Sequence, residues 1–175
     1  INTNGLRIAK DPKFGEFLAS FRTRCEVYFQ FDSFEDIQTE ALRGVSLVDT
    51  KLKAIERLGE LGIRTTLVCT LQAGINDQEI GAITEFAIQR PWITGVSFQP
   101  TTYTGRYFLP DELEKRITFP DILHGLETQT NGKWKASDFS PLPCAHPNGH
   151  TLAYTYRRFN PDLEFTPLAR FIDIE

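Results

Sequence analysis

The sequence predicts an α/β fold built on a parallel sheet. Two observations lead to this class: short apolar segments with strand character alternate with segments of helical periodicity, and each strand segment ends in polar residues. Such alternation implies right-handed crossovers with helices packed outside the sheet, which bring the polar strand ends to one edge. That edge is where parallel α/β folds hold their ligands. The four strand segments are residues 1–5, 27–32, 66–72 and 95–101.

The first elements follow from local signals. Asp11 next to Pro12 predicts a helix start, because Asp accepts from free backbone N–H groups and Pro has no N–H to lose there. Residues 25–32 are rich in β-branched and aromatic side chains and predict a buried strand. The polar residues 33–46 predict a long connection with a helical turn of its own.

Two further βα units follow. Residues 48–61 carry apolar side chains at helical spacing and predict a helix that ends at Gly62. Residues 63–71 predict a strand with an apolar centre. Asn76, with Glu79 three residues later, predicts a capping box at the start of the next helix.

The pattern changes after the fourth strand, which residues 92–99 predict. Residues 118–130 predict one more helix, an irregular proline-rich stretch follows, and residues 152–156 predict a short strand. We therefore expect the βα units to occupy residues 1–108. A C-terminal extension, suited to cover a substrate, is expected to occupy residues 109–175.

The composition is that of an ordinary globular protein, with 41% hydrophobic and 24% charged residues in a chain of 175. A net charge of −4 favours neither nucleic acid nor an acidic membrane surface as a partner, and no apolar stretch approaches the ~20 residues of a membrane span. Three separated cysteines, Cys25, Cys69 and Cys144, argue against a disulfide framework and predict a cytoplasmic protein. Because the chain contains no Met and opens on a strand, we expect a longer polypeptide whose N-terminal segment is missing here.

Amides and hydroxyls at the strand ends are the candidate binding groups. Side chains of these types can bind the ribose, adenine edge and amino-acid part of a nucleotide-like ligand. At any single position the alternative is a polar residue that only caps the end of the sheet. The candidates are Asn4, Gln30, Asp32, Thr70, Gln72, Gln99 and Thr101.

Asp32 and Arg43 stand out among the charged residues. A carboxylate directly after an apolar strand is costly to bury unless it is paired. Asp32 therefore has three possible roles: a hydrogen bond to a ligand, an ion pair with Arg43, or a cap on the following turn. The planar guanidinium of Arg43 suits a ligand carboxylate, and an exposed surface arginine is the alternative.

One segment has a metal-like composition. Cys144 and His146 lie in a proline-rich stretch and predict an auxiliary site for iron or zinc, with His150 nearby. The set is incomplete for a four-ligand structural site, so a structured loop without metal is the alternative.

Several short motifs together resemble the radical S-adenosylmethionine (radical SAM) enzymes. The resemblance covers most of the chain, and its tail, at residues 136–139 and 143–147, is similar to a molybdenum-cofactor-biosynthesis-like and tetraether-lipid-synthase-like subgroup that acts on pterin-like or lipid-like substrates. The strand-end motifs are residues 3–5 (TNG), 28–33 (YFQFDS), 42–44 (LRG), 71–80 (LQAGINDQEI) and 96–106 (VSFQPTTYTGR).

This resemblance implies strands three to six of a TIM-like (β/α)6 partial barrel. It implies reductive cleavage of S-adenosylmethionine at a [4Fe–4S] cluster, with an external electron donor, to give a 5′-deoxyadenosyl radical. Gln30, Asp32 and Arg43 would then meet its ribose and methionine parts. Thr70 and Gln72 would border the adenine, while residues 99–102 would close the barrel rim. The cluster motif CxxxCxxC is absent from the sequence, so no cluster is expected in this chain and the chain alone is expected to be inactive.

Two other classes of function remain open. A cluster-free (β/α) barrel lyase or aldolase would act through Asp32 and Arg43 with a bound metal, but it needs a Lys or His at a strand end, and the predicted ends have neither. A non-catalytic interaction domain would pair its exposed sheet edge with another chain.

Overall fold

A four-stranded parallel sheet forms the centre of the computed structural model, which describes residues 1–103, 115–142, 149–160 and 162–173. The strands lie side by side in chain order, and every neighbouring pair is parallel. The predicted α/β class with a parallel sheet is therefore confirmed. The strands are β1 (Asn2–Thr3), β2 (Val27–Gln30), β3 (Thr65–Leu71) and β4 (Ile93–Pro100).

Helices connect these strands and extend beyond them. The Asp11 carboxylate accepts a hydrogen bond from Phe14 N at 3.1 Å and caps the second helix, as the sequence predicts. Gly62 follows the fourth helix with a φ of +65°, the left-handed conformation expected after a helix end. The helices are α1 (Leu6–Lys10), α2 (Pro12–Ala19), α3 (Asp36–Arg43), α4 (Val48–Glu60), α5 (Ile80–Ile88) and α6 (Phe119–Gln129).

Four local features differ between the predictions and the structure. The short helix α1 was not predicted, and most of the expected connection at residues 33–46 is helix α3. The capping box at Asn76 is wrong: a 3₁₀ turn, Asp77–Glu79, precedes α5, and the Asn76 side chain makes no capping hydrogen bond. The single strand expected at residues 152–156 is divided between two short strands.

One face of the sheet carries the hydrophobic core. Alternate side chains of β2 and β3 are fully buried and join residues of α1, α4 and α5 in one cluster. The side chains between them, such as Tyr28, Gln30, Thr66 and Thr70, lie on the opposite face and stay partly exposed. The register of β3 with β4 places Ser97 and Gln99 on that same, more polar face. The core side chains are Val27 and Phe29 of β2, Phe31 directly after β2, and Leu67, Cys69 and Leu71 of β3.

After β4, the described residues form α6 and two antiparallel hairpins. One hairpin pairs β5 (Ser140–Pro141) with β6 (Thr151–Leu152), and the other pairs β7 (Thr155–Phe159) with β8 (Leu163–Pro167). Arg157 on β7 attaches the second hairpin to the βα units: its Nη1 donates to the carbonyls of Ala87, Ile88 and Arg90, and its Nη2 donates to the carbonyl of Ile93 at 2.6 Å. The predicted boundary at residue 108 lies outside the described residues.

An ion pair between Asp138 and Arg170 holds the 3₁₀ turn Leu168–Arg170 against the segment around Asp138. Arg170 Nε and Nη2 donate to the two oxygens of the Asp138 carboxylate at 2.7 and 2.6 Å, and Lys135 N donates to it at 2.8 Å. Burial of this carboxylate opposes its ionisation, but the hydrogen bonds from Arg170 and Lys135 outweigh burial and lower the pKa of Asp138.

We expect Asp138→Asn to reduce the free energy of unfolding at pH 7 by about 2 kcal/mol, because a charged hydrogen-bond acceptor is lost. The pKa of Asp138 is lower in the folded chain than its ordinary value of 3.8. The stabilisation is therefore present above that value and is lost as the pH falls through the lower, folded value. Urea denaturation of the wild-type chain and of Asp138→Asn between pH 7 and pH 3 tests this. A difference in free energy of unfolding that stays constant down to pH 3 would contradict it.

None of the helices in the described ranges is both long enough and apolar enough to cross a membrane.

Candidate functional site

The carboxyl end of β2 places a buried carboxylate at the edge of the sheet. Asp32 is 1% exposed. Its Oδ2 accepts from Arg43 Nε at 3.0 Å, and its Oδ1 accepts from Arg43 Nη2 at 3.0 Å and from Thr70 N at 2.9 Å. The pairing with Arg43, one of the three roles that the sequence left open, is thus present in the structure.

Lys51 is a second cation at this carboxylate. It extends from α4, its side chain is only 4% exposed, and its Nζ lies 3.6 Å from Asp32 Oδ2. Burial lowers the pKa of Lys51, and the attraction of Asp32 opposes that shift. The sequence contains a signal for it: Lys51 falls on the apolar stripe of α4, one turn from Val48 and from Ile55. A lysine within a buried stripe indicates a buried ionic partner.

Arg43 is the part of this cluster that reaches solvent. Its side chain is 31% exposed, and its Nη2 donates to Thr70 Oγ1 at 2.8 Å. With its amide oxygen turned toward the guanidinium, Gln30 accepts from Arg43 Nη1 at 3.1 Å. Four of the predicted site residues, Gln30, Asp32, Arg43 and Thr70, are therefore in one hydrogen-bonded group.

Asn76 locks the ends of β2 and β3 together. The side chain is fully buried, and its Nδ2 donates to the carbonyls of Asp32 at 2.7 Å and of Thr70 at 2.8 Å. Its Oδ1 accepts from Gln72 N at 2.9 Å. Sequence reasoning missed this role because Asn at this spacing before Glu79 has the same pattern as a helix cap.

Glu79 is likewise used in the fold and does not cap α5. Its carboxylate accepts from Ser33 Oγ at 2.5 Å and from Phe34 N at 2.7 Å, and so ties the loop after β2 to the start of α5. Among the described residues, the ion pairs of Arg43 and Lys51 are made with Asp32 and not with Glu79. Asp32 therefore stands as the shared carboxylate of two cations.

The other four strand-end candidates lie at the same edge without contacting the Arg43 guanidinium. Thr101 Oγ1 donates to the carbonyl of Leu71 at 2.8 Å, which is the sheet-capping alternative. Asn4 Oδ1 accepts from Leu6 N at 3.3 Å. The side chains of Gln72 and Gln99 form no hydrogen bond with another described residue. Their roles in ligand binding stay a prediction.

The described residues hold no group suited to a metal centre. Where the chain is described, no three His, Cys, Asp or Glu side chains come together as metal ligands. Cys25 and Cys69 are free, and burial raises the pKa of the Cys69 thiol well above its ordinary value, with the charge of Asp32 adding to the shift. Cys144 and His146, the predicted auxiliary ligands, lie outside the described residues. Cys25 and Cys69, the two described cysteines, belong to no such group of ligands.

Comparison with known proteins identifies a related methyltransferase. The chain is 33% identical over 169 residues to 7,8-dihydro-6-hydroxymethylpterin dimethyltransferase from Methanocaldococcus jannaschii, and the match covers 85% of this chain and 33% of that protein. The chain thus spans about a third of the length of this curated relative. No family model matches the chain. This match supports a relationship to the radical SAM enzymes, which the motifs predict. It does not support the molybdenum-cofactor-biosynthesis-like and tetraether-lipid-synthase-like subgroup.

Proposed function

We propose that the chain is the C-terminal part of a radical SAM enzyme that modifies a small organic substrate, with methyl transfer as the reaction that the related protein favours. The observation that carries this proposal is the guanidinium of Arg43, held at the carboxyl edge of a parallel sheet by Asp32 and partly open to solvent. A fixed, forked cation at that edge suits the carboxylate of an amino-acid ligand.

The topology supports strands three to six of a (β/α)6 partial barrel as the scaffold. The strands follow chain order without the reversal that a doubly wound sheet needs. The buried side chains of β2 and β3 all belong to the helix-packed face, while Gln30, Thr70 and Ser97 lie on the other. In a (β/α) barrel the helices pack on the outer face of the sheet and the other face lines the inside, which agrees with this division.

The residues at this edge match the polar groups of S-adenosylmethionine. Arg43 would bind its carboxylate and Gln30 would meet its hydroxyl and amino groups, with Asp32 and Lys51 holding Arg43 in place. Thr70 and Gln72 would border the adenine, while Gln99 and Thr101 would close the rim of the barrel, and Asn4 after β1 is a further binding group. When bound, S-adenosylmethionine would supply the 5′-deoxyadenosyl radical or the methyl group. The residues of this chain would bind the cofactor, orient it and exclude water.

The cluster belongs, in this proposal, to a segment of the same polypeptide outside this chain. The greater length of the relative supports a longer protein. We expect the coding region upstream of Ile1 to encode CxxxCxxC, and the longer polypeptide, purified without oxygen, to bind iron. A colourless protein after reconstitution with iron and sulfide would refute the proposal.

An external electron donor and a small or lipid-like substrate are the expected partners. The free thiols of Cys25 and Cys69 favour the cytoplasm as the compartment in which the protein acts.

Replacement of Arg43 tests the site directly. We expect Arg43→Met to weaken S-adenosylmethionine binding by about 10- to 100-fold, since a charge-assisted bidentate contact is lost. Binding of 5′-methylthioadenosine, which lacks the amino-acid carboxylate, is expected to change little. Isothermal titration of both ligands gives the two dissociation constants.

The matched control is Arg24→Met, which removes an exposed arginine far from this edge. It is expected to leave both dissociation constants unchanged. An equal loss of affinity for both ligands in Arg43→Met would show that Arg43 does not contact the carboxylate, and absence of binding to the wild-type chain would count against a site formed by this chain.

A further inference from the structure

The cluster around Asp32 carries one positive charge more than its single carboxylate balances. Arg43 pairs with Asp32 through Nε and Nη2, and the Nζ of Lys51 lies 3.6 Å from Oδ2 of the same carboxylate. Where the chain is described, neither cation forms an ion pair with a second carboxylate. Asp32 and Lys51 are both buried, so the surplus charge reaches solvent through Arg43, whose side chain is 31% exposed.

The other titratable groups on the neighbouring elements leave this surplus in place. Cys69 lies against the backbone carbonyl of Asp32, and burial raises the pKa of its thiol well above the ordinary value, so the thiol is neutral at pH 7. The carboxylate of Glu79 accepts hydrogen bonds from a hydroxyl and a backbone N–H of the loop after β2. The carboxylate of Asp36, on α3, is exposed and accepts from a backbone N–H at the start of α4.

The like charges of Arg43 and Lys51 couple the two residues. Burial lowers the pKa of Lys51, the attraction of Asp32 opposes that shift, and the repulsion from Arg43 adds to it. An anion bound at Arg43 would offset the charge of the guanidinium, so Lys51 would hold its proton more tightly. Because linkage between two binding events is reciprocal, the proton on Lys51 would strengthen binding of the anion by the same factor.

We propose that Lys51 acts through Asp32 and Arg43 as the positioning residue that makes the exposed guanidinium a site for a carboxylate. The proposal deepens the proposed function, on which it rests only in taking this carboxylate to be that of S-adenosylmethionine. With Lys51 neutral, Asp32 and Arg43 form a neutral pair that attracts an anion less strongly. Anion binding is therefore tight below the pKa of Lys51 and weaker above it.

Acetate is a suitable probe, because it carries a carboxylate and no group that titrates above pH 7. We expect the pKa of Lys51 to be higher in 0.5 M sodium acetate than in sodium chloride of equal ionic strength. NMR spectra of the chain labelled with [¹³C]lysine show this directly, since the ¹³Cε shift of each lysine follows its protonation. The signal of Lys53, an exposed residue of the same helix, is the internal control and is expected to follow one curve in both salts.

The pH profile of acetate binding separates this role from simple packing. The pKa of Lys51 is lowered from 10.5, so most of Lys51 is neutral at pH 10.5. We expect the wild-type chain to bind acetate severalfold more weakly at pH 10.5 than at pH 7, as followed by amide shifts around Arg43. A lysine that only packed against Asp32 would leave this profile flat.

Lys51→Met tests the same charge by removing it. We expect acetate to bind this variant about five- to tenfold more weakly than the wild-type chain at pH 7, the order of effect of one charge several ångströms away. The affinity of the variant is expected to be independent of pH between 7 and 10.5. The matched control is Lys53→Met, which removes an exposed lysine of the same helix and is expected to keep the wild-type affinity and pH profile.

Three results would overturn the proposal: an equal pKa of Lys51 in acetate and in chloride, a wild-type acetate affinity that does not change with pH, or a wild-type acetate affinity in Lys51→Met. The first two use the wild-type chain and do not depend on the folding of a variant. None of the three uses S-adenosylmethionine, whose titration against Arg43→Met decides the proposed function, so the two failures are distinguishable.

Discussion

Asp32→Asn is expected to lower the free energy of unfolding by about 3–5 kcal/mol, the cost of breaking a buried ion pair. The substitution keeps the size of the side chain but leaves Lys51 buried without a negative partner. It also removes both charged contacts to Arg43. Denaturation in urea, followed by circular dichroism, gives the value.

A double variant identifies the cause of the loss. Asp32→Asn combined with Lys51→Met removes the unpaired cation, so we expect it to recover about 2 kcal/mol relative to Asp32→Asn alone. Asp49→Asn is the control, because Asp49 is an exposed carboxylate in the first turn of α4, and a cost below about 1 kcal/mol is expected there. A similar cost for Asp32→Asn would show that the buried pair contributes little.

Asn76→Asp is expected to lower the free energy of unfolding by about 3 kcal/mol or more, because it buries a carboxylate that faces two carbonyls. Both donated hydrogen bonds, to the carbonyls of Asp32 and Thr70, are lost while the side-chain size is kept. Thermal and urea denaturation at pH 7 measure the effect.

The loss is also expected to shrink at acidic pH, where the new carboxyl group is protonated and can donate again. Asn160→Asp, at an exposed position, is expected to change stability by no more than about 0.5 kcal/mol. If the two variants were equally stable, Asn76 would not be the link between the ends of β2 and β3.

The sheet was predictable because its signals are local. The apolar strand segments and the helical stripe on α4 each follow from a short window of sequence, and they imply the parallel order. Helix α1 was harder to predict, since it has five residues and is defined by its packing on α4. Helix propensity gives little signal over such a length.

The sequence predicted several residues of the candidate site but not the contacts between them. Asp32, Arg43, Gln30 and Thr70 were marked from strand ends, and the structure brings them together. Lys51 and Asn76 were missed because each acts through a partner far away in sequence. Lys51 sits on a helix that sequence reasoning treated only as packing, and Asn76 has the same local pattern as a cap.

The two cations around Asp32 also affect how the melting temperature of this protein should be measured. An anion that bound beside Arg43 in the folded chain alone would raise the apparent free energy of unfolding with the logarithm of its concentration, by about 2.7 kcal/mol at 100 times its dissociation constant. Sulfate or phosphate from a buffer would act in this way if bound there. Melting temperatures recorded in different buffer salts would therefore depend on how much anion is bound at Arg43 as well as on the stability of the fold.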